Sequence, residues 1–179
     1  MNYIKKEINA LEYAPQILSQ MARGGILATV KVDGKVNPIT IGWGTFGMQW
    51  GKMLFQIYIR ESRYSKQLLD RAREFTINVP LAESARAKEI LAFCGTHSGR
   101  DTDKVAELGL TMVEGDHVSA PAFCELPLTL ECKVVYSVRQ DAAQMPEDVT
   151  RRYYPQWRED PEDVHSVYYG EIVGAYIVE

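Results

Sequence analysis

The segment Cys94–Lys104 carries the densest run of groups that could bind a ligand or react: Cys-Gly-Thr-His-Ser-Gly-Arg-Asp-Thr-Asp-Lys. Its two glycines permit backbone angles that other residues avoid, and it has four charged residues within five positions. Such a segment cannot build a core, so it is either a solvated connection or one wall of a site for a polar ligand.

Within this segment, Cys94 and His97 have a spacing that metal ligands use. A zinc site needs about four ligands, and the sequence offers no second pair, so we predict no metal site. The sequence also fixes no base that would make Cys94 a nucleophile.

A second candidate site is Arg60–Ser65, Arg-Glu-Ser-Arg-Tyr-Ser, which lies between a predicted strand and a predicted helix. The free amides and the positive dipole end of a helix N-terminus attract anions. Arg60 and Arg63 add planar forks that match phosphate oxygens. The alternative is an ordinary capped helix whose arginines are solvated.

The segment Gly42–Gly47, Gly-Trp-Gly-Thr-Phe-Gly, formally matches the glycine-rich fingerprint of dinucleotide-binding proteins. We reject that interpretation because the fingerprint needs a helix that starts at the glycines, and a strand follows here instead. The glycines favour either a bend in a β-ribbon or close approach of a flat ligand to the backbone.

The bulk composition of the chain is that of a globular protein, with 179 residues, 46% hydrophobic and 25% charged. We predict a single domain over residues 1–179. A net charge of -4 argues against nucleic acid and anionic membrane as partners. The three scattered cysteines give no disulfide framework, and we find neither a secretory segment nor a membrane span, so we predict a cytoplasmic protein.

The hydrophobic pattern predicts a chain rich in strands, with helices between them. The predicted helices are Leu11–Arg23, Ser62–Phe75, Ser84–Cys94 with a stop at Gly95, and Asp101–Leu108, and Pro146–Glu162 is predicted as a helix or lid. The predicted strands are a hairpin over residues 26–43 that turns at Asp33-Gly34, then Met53–Ile59, Phe75–Val79, Leu126–Val138, and one or two strands in Val164–Val178. Adjoining strands favour antiparallel pairing and a mainly β barrel with flanking helices.

Six segments, in this order and spacing, resemble the flavin reductase-like family of FMN-binding split barrels, close to flavoredoxin. They are residues 34–44, Arg60–Ser65, Phe75–Pro80, Cys94–Lys104, Pro121–Glu125 and Leu130–Lys133. Each motif alone is weak, but the series is specific. Ser65 stands where threonine is common in the family, and Met53 stands where proline is frequent.

The resemblance implies a six-stranded antiparallel Greek-key barrel and a homodimer that binds FMN non-covalently near the subunit interface. It implies that Asn37 and Thr40 lie beside the isoalloxazine ring of FMN. It also implies that the backbone of the turn faces the polar edge of that ring, through Ile41, Gly42, Trp43 and Gly44. The ribityl phosphate would meet Arg60, Ser62, Arg63, Tyr64 and Ser65, with Ser98, Gly99 and Lys104 completing the pocket.

The leading hypothesis is an FMN-binding oxidoreductase in which NADH or NADPH passes hydride to the flavin. Electrons would then reach free flavin, a redox partner protein or another acceptor. One alternative is a flavoredoxin-like electron carrier without direct nicotinamide turnover. Another is a barrel that binds FMN without being an enzyme.

Overall fold

An antiparallel sheet of eight strands organises this chain, and the computed structural model describes residues 3–179. The strands are β1 (Lys5–Glu7), β2 (Ile26–Val32), β3 (Lys35–Ile41), β4 (Gly44–Gln49), β5 (Lys52–Arg60), β6 (Glu74–Val79), β7 (Met112–Val113), β8 (Ala122–Phe123), β9 (Leu128–Arg139) and β10 (His165–Val178). The helices are α1 (Ala10–Gly24), α2 (Tyr64–Ala72), α3 (Ala85–Thr96), α4 (Lys104–Leu108) and α5 (Glu147–Tyr153). Strands β7 and β8 form a separate ribbon.

Strand β10 links the two halves of the main sheet. The strands lie in the order β3-β2-β6-β9-β10-β5-β4, and β1 pairs with the end of β10. Register shifts at Gly170 and Gly174 bend β10 as it crosses the core. A Cβ atom at Gly170 would lie 2.5 Å from Cζ of Phe75, so the close packing of β10 against Phe75 requires glycine at this position.

The predicted mainly β architecture with flanking helices is confirmed, and the six predicted strand segments correspond to β2, β3, β5, β6, β9 and β10. The sheet has two further strands, β1 and β4, so its strand number differs from the six that were predicted. Strand β4 carries two glycines and is largely exposed, so it lacks the apolar periodicity by which a strand is recognised.

Three predicted helix boundaries were wrong for local reasons. Helix α2 ends at Ala72 because Arg73 adopts a left-handed conformation with φ 53°, after which β6 begins. Helix α3 continues through Gly95, which lies against Thr40 of β3 and allows close packing instead of a stop. Helix α4 begins later than predicted, because Asp103 accepts hydrogen bonds from the first amides of the helix.

Two buried clusters attach the helices to the sheet. The larger joins α1 and α2 to the strands through residues such as Ile17, Leu69 and Phe75. The second packs Leu27 of β2 against α3 and α4, including Cys94. Strand β3 contacts α2, α3 and α4, and it therefore lies beside every helix that carries a candidate site residue. Within residues 3–179, no helix is long and apolar enough to span a membrane.

A buried carboxylate fixes the loop that precedes β8. Glu131 is 0% exposed and accepts hydrogen bonds from the amides of Asp116 (2.8 Å) and His117 (2.6 Å) and from the Tyr176 hydroxyl (2.8 Å). The acidic neighbour and burial together raise the pKa of Tyr176, burial being the larger cause. The tyrosine therefore stays protonated and acts as a donor.

We expect Glu131→Ala to lower the free energy of unfolding by about 3 kcal/mol, because three donors would lose their acceptor. Urea unfolding monitored by circular dichroism measures this loss. The control is Glu159→Ala, which removes an exposed carboxylate. A loss of less than about 1 kcal/mol in Glu131→Ala would show that the loop does not depend on this carboxylate.

Candidate functional site

Three cavities lie side by side, and the central one shares lining residues with each of the other two; together they are called the cleft. The cationic cavity (260 Å³) is lined by Ile39, Ser62, Arg63, Tyr64, Ser65, Cys94, Gly95, Thr96, His97, Ser98, Gly99, Arg100 and Lys104. The central cavity (340 Å³) is lined by Ile39, Thr40, Ile41, Gly42, Trp43, Tyr58, Ile59, Arg60, Arg63, Arg152, Tyr153 and His165. The apolar cavity (490 Å³) is lined by Leu18, Met21, Ala22, Gly42, Trp43, Gly44, Tyr58, Gln140, Met145, Val149, Tyr153 and Tyr154.

The cationic cavity brings together the two segments that the sequence singled out. Residues 62–65 at the start of α2 and residues 94–104 between α3 and α4 form its facing walls. Arg63 is the N-cap residue of α2, and its side chain makes no capping hydrogen bond. The capping side chain therefore accepts no hydrogen bond from the first backbone amides of α2. An anion bound at this position could accept from those amides.

Lys104 is the strongest electrostatic feature of the cationic cavity. Its side chain is only 2% exposed, yet within residues 3–179 it makes no ion pair or hydrogen bond. Burial lowers the pKa of Lys104; nearby Cys94 opposes this shift, and the positive charges of Arg63 and Lys35 add to it. A buried cation without a partner is unfavourable. An anion in the cavity would supply the missing counter-charge.

Asn37 lies behind the wall of the cationic cavity. It is 1% exposed, and its Nδ2 donates to Ser65 Oγ over 2.8 Å. Its Oδ1 is buried and has no hydrogen-bond partner among residues 3–179. A Cβ atom at residue 99 would lie 1.8 Å from this oxygen, so only glycine fits at that position. Asn37 thus positions Ser65, and of the residues proposed from sequence it alone lines none of the three cavities.

The central cavity is bounded on one side by the end of β3 and the turn that follows. Thr40 Oγ1 donates to the carbonyl oxygen of Leu91 over 2.6 Å, which ties β3 to α3. Ile41, Gly42 and Trp43 continue this wall, and Gly44 lines the apolar cavity beyond it. The wall therefore contains a short run of consecutive residues with two glycines, Gly42 and Gly44, at which a flat ligand could approach the backbone.

Arg60 lines the central cavity but makes its contacts with the segment before β10. Its Nη2 donates to the carbonyl oxygen of Tyr153 over 2.6 Å, and its Nη1 lies 3.5 Å from Asp163. Its guanidinium also lies 5.4 Å from the ring centre of Tyr154. Arg60 therefore connects the sheet to Tyr153 and Asp163 in the segment before β10. It does not line the cationic cavity.

His165 is a site residue that the sequence did not reveal. It lines the central cavity, and its ring centre lies 4.8 Å from that of Trp43. The Tyr154 hydroxyl lies 2.7 Å from Nδ1 of His165. Burial and the positive charge of Arg60 lower the pKa of His165 to about 4. No linear motif marks this residue, because its position depends on the pairing of β10 with β5 opposite Arg60.

Cys94 contributes a buried thiol to the cationic cavity. It is almost fully buried, and burial raises its pKa to about 11, an effect that Lys104 partly opposes. The thiol is therefore protonated near neutral pH and is a poor nucleophile. Within residues 3–179, no group of three or more histidine, cysteine, aspartate or glutamate side chains could hold a metal ion.

Comparison with known proteins identifies the family of this chain. The family model described as "Flavin reductase like domain" matches residues 18–179. An uncharacterized protein from Archaeoglobus fulgidus is 30% identical over 131 residues, which are 73% of this chain and 68% of that protein.

Solved structures agree on the fold. Flavoredoxin from Methanosarcina acetivorans has a TM-score of 0.64 at 23% identity, over 86% of this chain and 68% of that one. An NADH:FAD oxidoreductase from Streptomyces globisporus has a TM-score of 0.61 at 18% identity, over 86% of this chain and 74% of that one. Taken with the match over residues 18–179, these findings show that the chain belongs to the flavin reductase-like family.

Proposed function

We propose that this protein is an FMN-binding oxidoreductase that accepts electrons from NADH or NADPH and passes them to free flavin or another acceptor. The observation that carries the proposal is Lys104, which is buried without a partner among residues 3–179 and lies in a cavity that adjoins the central cavity. Membership of the flavin reductase-like family supports it. A protein of this fold is named as an NADH:FAD oxidoreductase, which agrees with a nicotinamide donor.

The residues of the cleft suit FMN by their charge and their hydrogen-bonding groups. The cationic cavity offers hydroxyls from Ser62, Ser65 and Ser98 and positive charge from Arg63 and Lys104, all suited to a phosphate. The orphaned Oδ1 of Asn37 is a buried polar atom near this end of the cleft. The planar ring would lie in the central cavity against residues 40–43.

When bound, FMN supplies hydride and electron-transfer chemistry through its ring, so the protein need supply no acid–base pair. The side chains of the central cavity would orient that ring and limit its contact with water. His165 is neutral at pH 7 and adds no positive charge there. Its contacts with Tyr154 and Trp43 fix the orientation of the imidazole.

The proposal extends to assembly and location. The resemblance implies a homodimer. Light scattering measures the molar mass in solution, and a molar mass equal to that of one chain would contradict the homodimer. The three cysteines within residues 3–179 are free, which supports a reducing location such as the cytoplasm. Mass spectrometry that found these cysteines oxidised in freshly extracted protein would oppose that location.

Absorbance spectroscopy and anaerobic mixing test the catalytic proposal. The purified protein, supplemented with FMN, should show the spectrum of bound flavin and should lose its colour with NADH or NADPH. If FMN binds and neither nucleotide bleaches it, the protein is a flavoredoxin-like electron carrier. If FMN does not bind at all, the proposal fails and a non-flavin role for the barrel follows.

We expect Lys104→Met to weaken FMN binding by about tenfold or more, since one charge-assisted contact contributes about 1.5–3 kcal/mol. The same change should not lower the free energy of unfolding without FMN, because it removes a buried cation that has no partner. Fluorescence titration with FMN and urea unfolding measure the two effects. Lys133→Met, which removes an exposed lysine, is the matched control. Unchanged affinity in Lys104→Met would place the phosphate elsewhere.

The lowered pKa of His165 predicts a dependence of stability on pH. The ordinary pKa of a histidine is 6.5, so below that pH His165 binds a proton in the unfolded chain. In the folded chain His165 stays neutral until the pH falls to about 4. The contribution of His165 is therefore complete above pH 6.5 and is lost as the pH falls toward 4. Between pH 7 and pH 5, the free energy of unfolding should fall less in His165→Gln than in the wild type.

Urea unfolding at several pH values measures this difference. The control is His117→Gln, which changes an exposed histidine outside the cleft. If His165→Gln follows the wild-type pH profile, the imidazole is not held neutral by the cavity.

A further inference from the structure

The apolar cavity differs in chemistry from the rest of the cleft. Its walls are α1 with Leu18 and Met21, the turn around Gly42, and the segment that contains Met145 and Val149. Its volume of 490 Å³ is in the range of cavities that hold small organic ligands. Methionine side chains adapt their shape and make favourable contacts with aromatic rings.

None of the residues that line the apolar cavity is charged. Its polar side-chain groups are neutral: the amide of Gln140, the hydroxyls of Tyr58, Tyr153 and Tyr154, and the indole N–H of Trp43. Gln140 Oε1 accepts from the Tyr154 hydroxyl over 3.2 Å, and within residues 3–179 its Nε2 makes no hydrogen bond. That amide can therefore donate to a neutral oxygen, while a charged ligand would find no counter-charge.

The apolar cavity lies beside the central cavity, and the two share four lining residues. Gly42, Trp43, Tyr58 and Tyr153 line both cavities. Trp43 and Tyr153 meet edge to face, with ring centres 5.1 Å apart, and Arg60 holds the main chain of Tyr153. A molecule in the apolar cavity would thus lie next to whatever fills the central cavity.

We propose that the apolar cavity binds an uncharged, planar aromatic molecule that carries a hydroxyl or carbonyl oxygen. Aromatic rings and methionine sulfur would contact its faces and edges, and the Gln140 amide would donate to its oxygen. The role of this molecule rests on the proposed function, because the molecule would lie beside the cofactor. Binding in the cavity is a separate property that can be measured without FMN.

Equilibrium dialysis with 2-naphthol, which undergoes no reaction with flavin, tests the inference. The wild type should bind 2-naphthol both without added FMN and at saturating FMN. With FMN present, naphthalene-2-sulfonate should bind about tenfold more weakly, because its permanent charge must enter a cavity without counter-charge. A protein that takes up 2-naphthol but not FMN would contradict the proposed function and leave this inference standing.

Two matched variants on one helix locate the bound molecule. Leu18→Glu places a carboxylate at the wall of the cavity, and Leu11→Glu makes the same change at an exposed position of α1 outside the three cavities of the cleft. Both leucines are exposed, 38% and 57% respectively, so both variants should fold. We expect 2-naphthol to bind to Leu18→Glu about tenfold more weakly than to the wild type, and to Leu11→Glu with the affinity of the wild type. Equal affinity in Leu18→Glu and the wild type, or loss of 2-naphthol at saturating FMN, would overturn the inference.

Discussion

Two hydrogen bonds from β3 hold the walls of the cationic cavity in place. Asn37 Nδ2 donates to Ser65 in the first turn of α2, and Thr40 Oγ1 donates to the Leu91 carbonyl of α3. Gly99 closes against Asn37 so tightly that no larger residue fits. The groups that face the cavity come from loops and helix ends, but their positions depend on this one strand. The strand is itself paired with β2 along its whole length, which makes it a rigid support.

The cleft changes its electrostatic character from one end to the other. Positive side chains line the first two cavities, among them Lys104 in the cationic cavity and Arg60 and Arg152 in the central cavity, and uncharged side chains line the far end. His165 adds no positive charge to the central cavity, because burial and the charge of Arg60 lower its pKa to about 4. Lys104 has no counter-ion among residues 3–179, so the anionic end of a ligand would match the cationic cavity best. A buried lysine without a counter-ion is unfavourable, and an anion bound beside it would offset that cost.

Much of the fold and the two main walls of the cationic cavity could be predicted because their signals are local. Asp33-Gly34 predicted a turn, and both residues adopt positive φ there. Residues 60–65 and 94–104 are contiguous runs whose polar character is visible in sequence. The middle of the site could not be predicted in the same way. His165 meets Arg60 only through the register of β10 with β5, which joins positions more than a hundred residues apart.

Arg60 shows how a non-local contact changes the role of a residue. By type and position it suited a phosphate, but its hydrogen bond to Tyr153 and its proximity to Asp163 direct it to the segment before β10. The segment between β9 and β10 also supplies Gln140 and Met145 to the apolar cavity, although none of the six motifs recognised in the sequence lies within it. The cationic cavity, by contrast, is lined mostly by two of those motifs, residues 60–65 and 94–104. Because the apolar cavity takes side chains from a segment without a recognised motif, selectivity for a second molecule is most naturally located there.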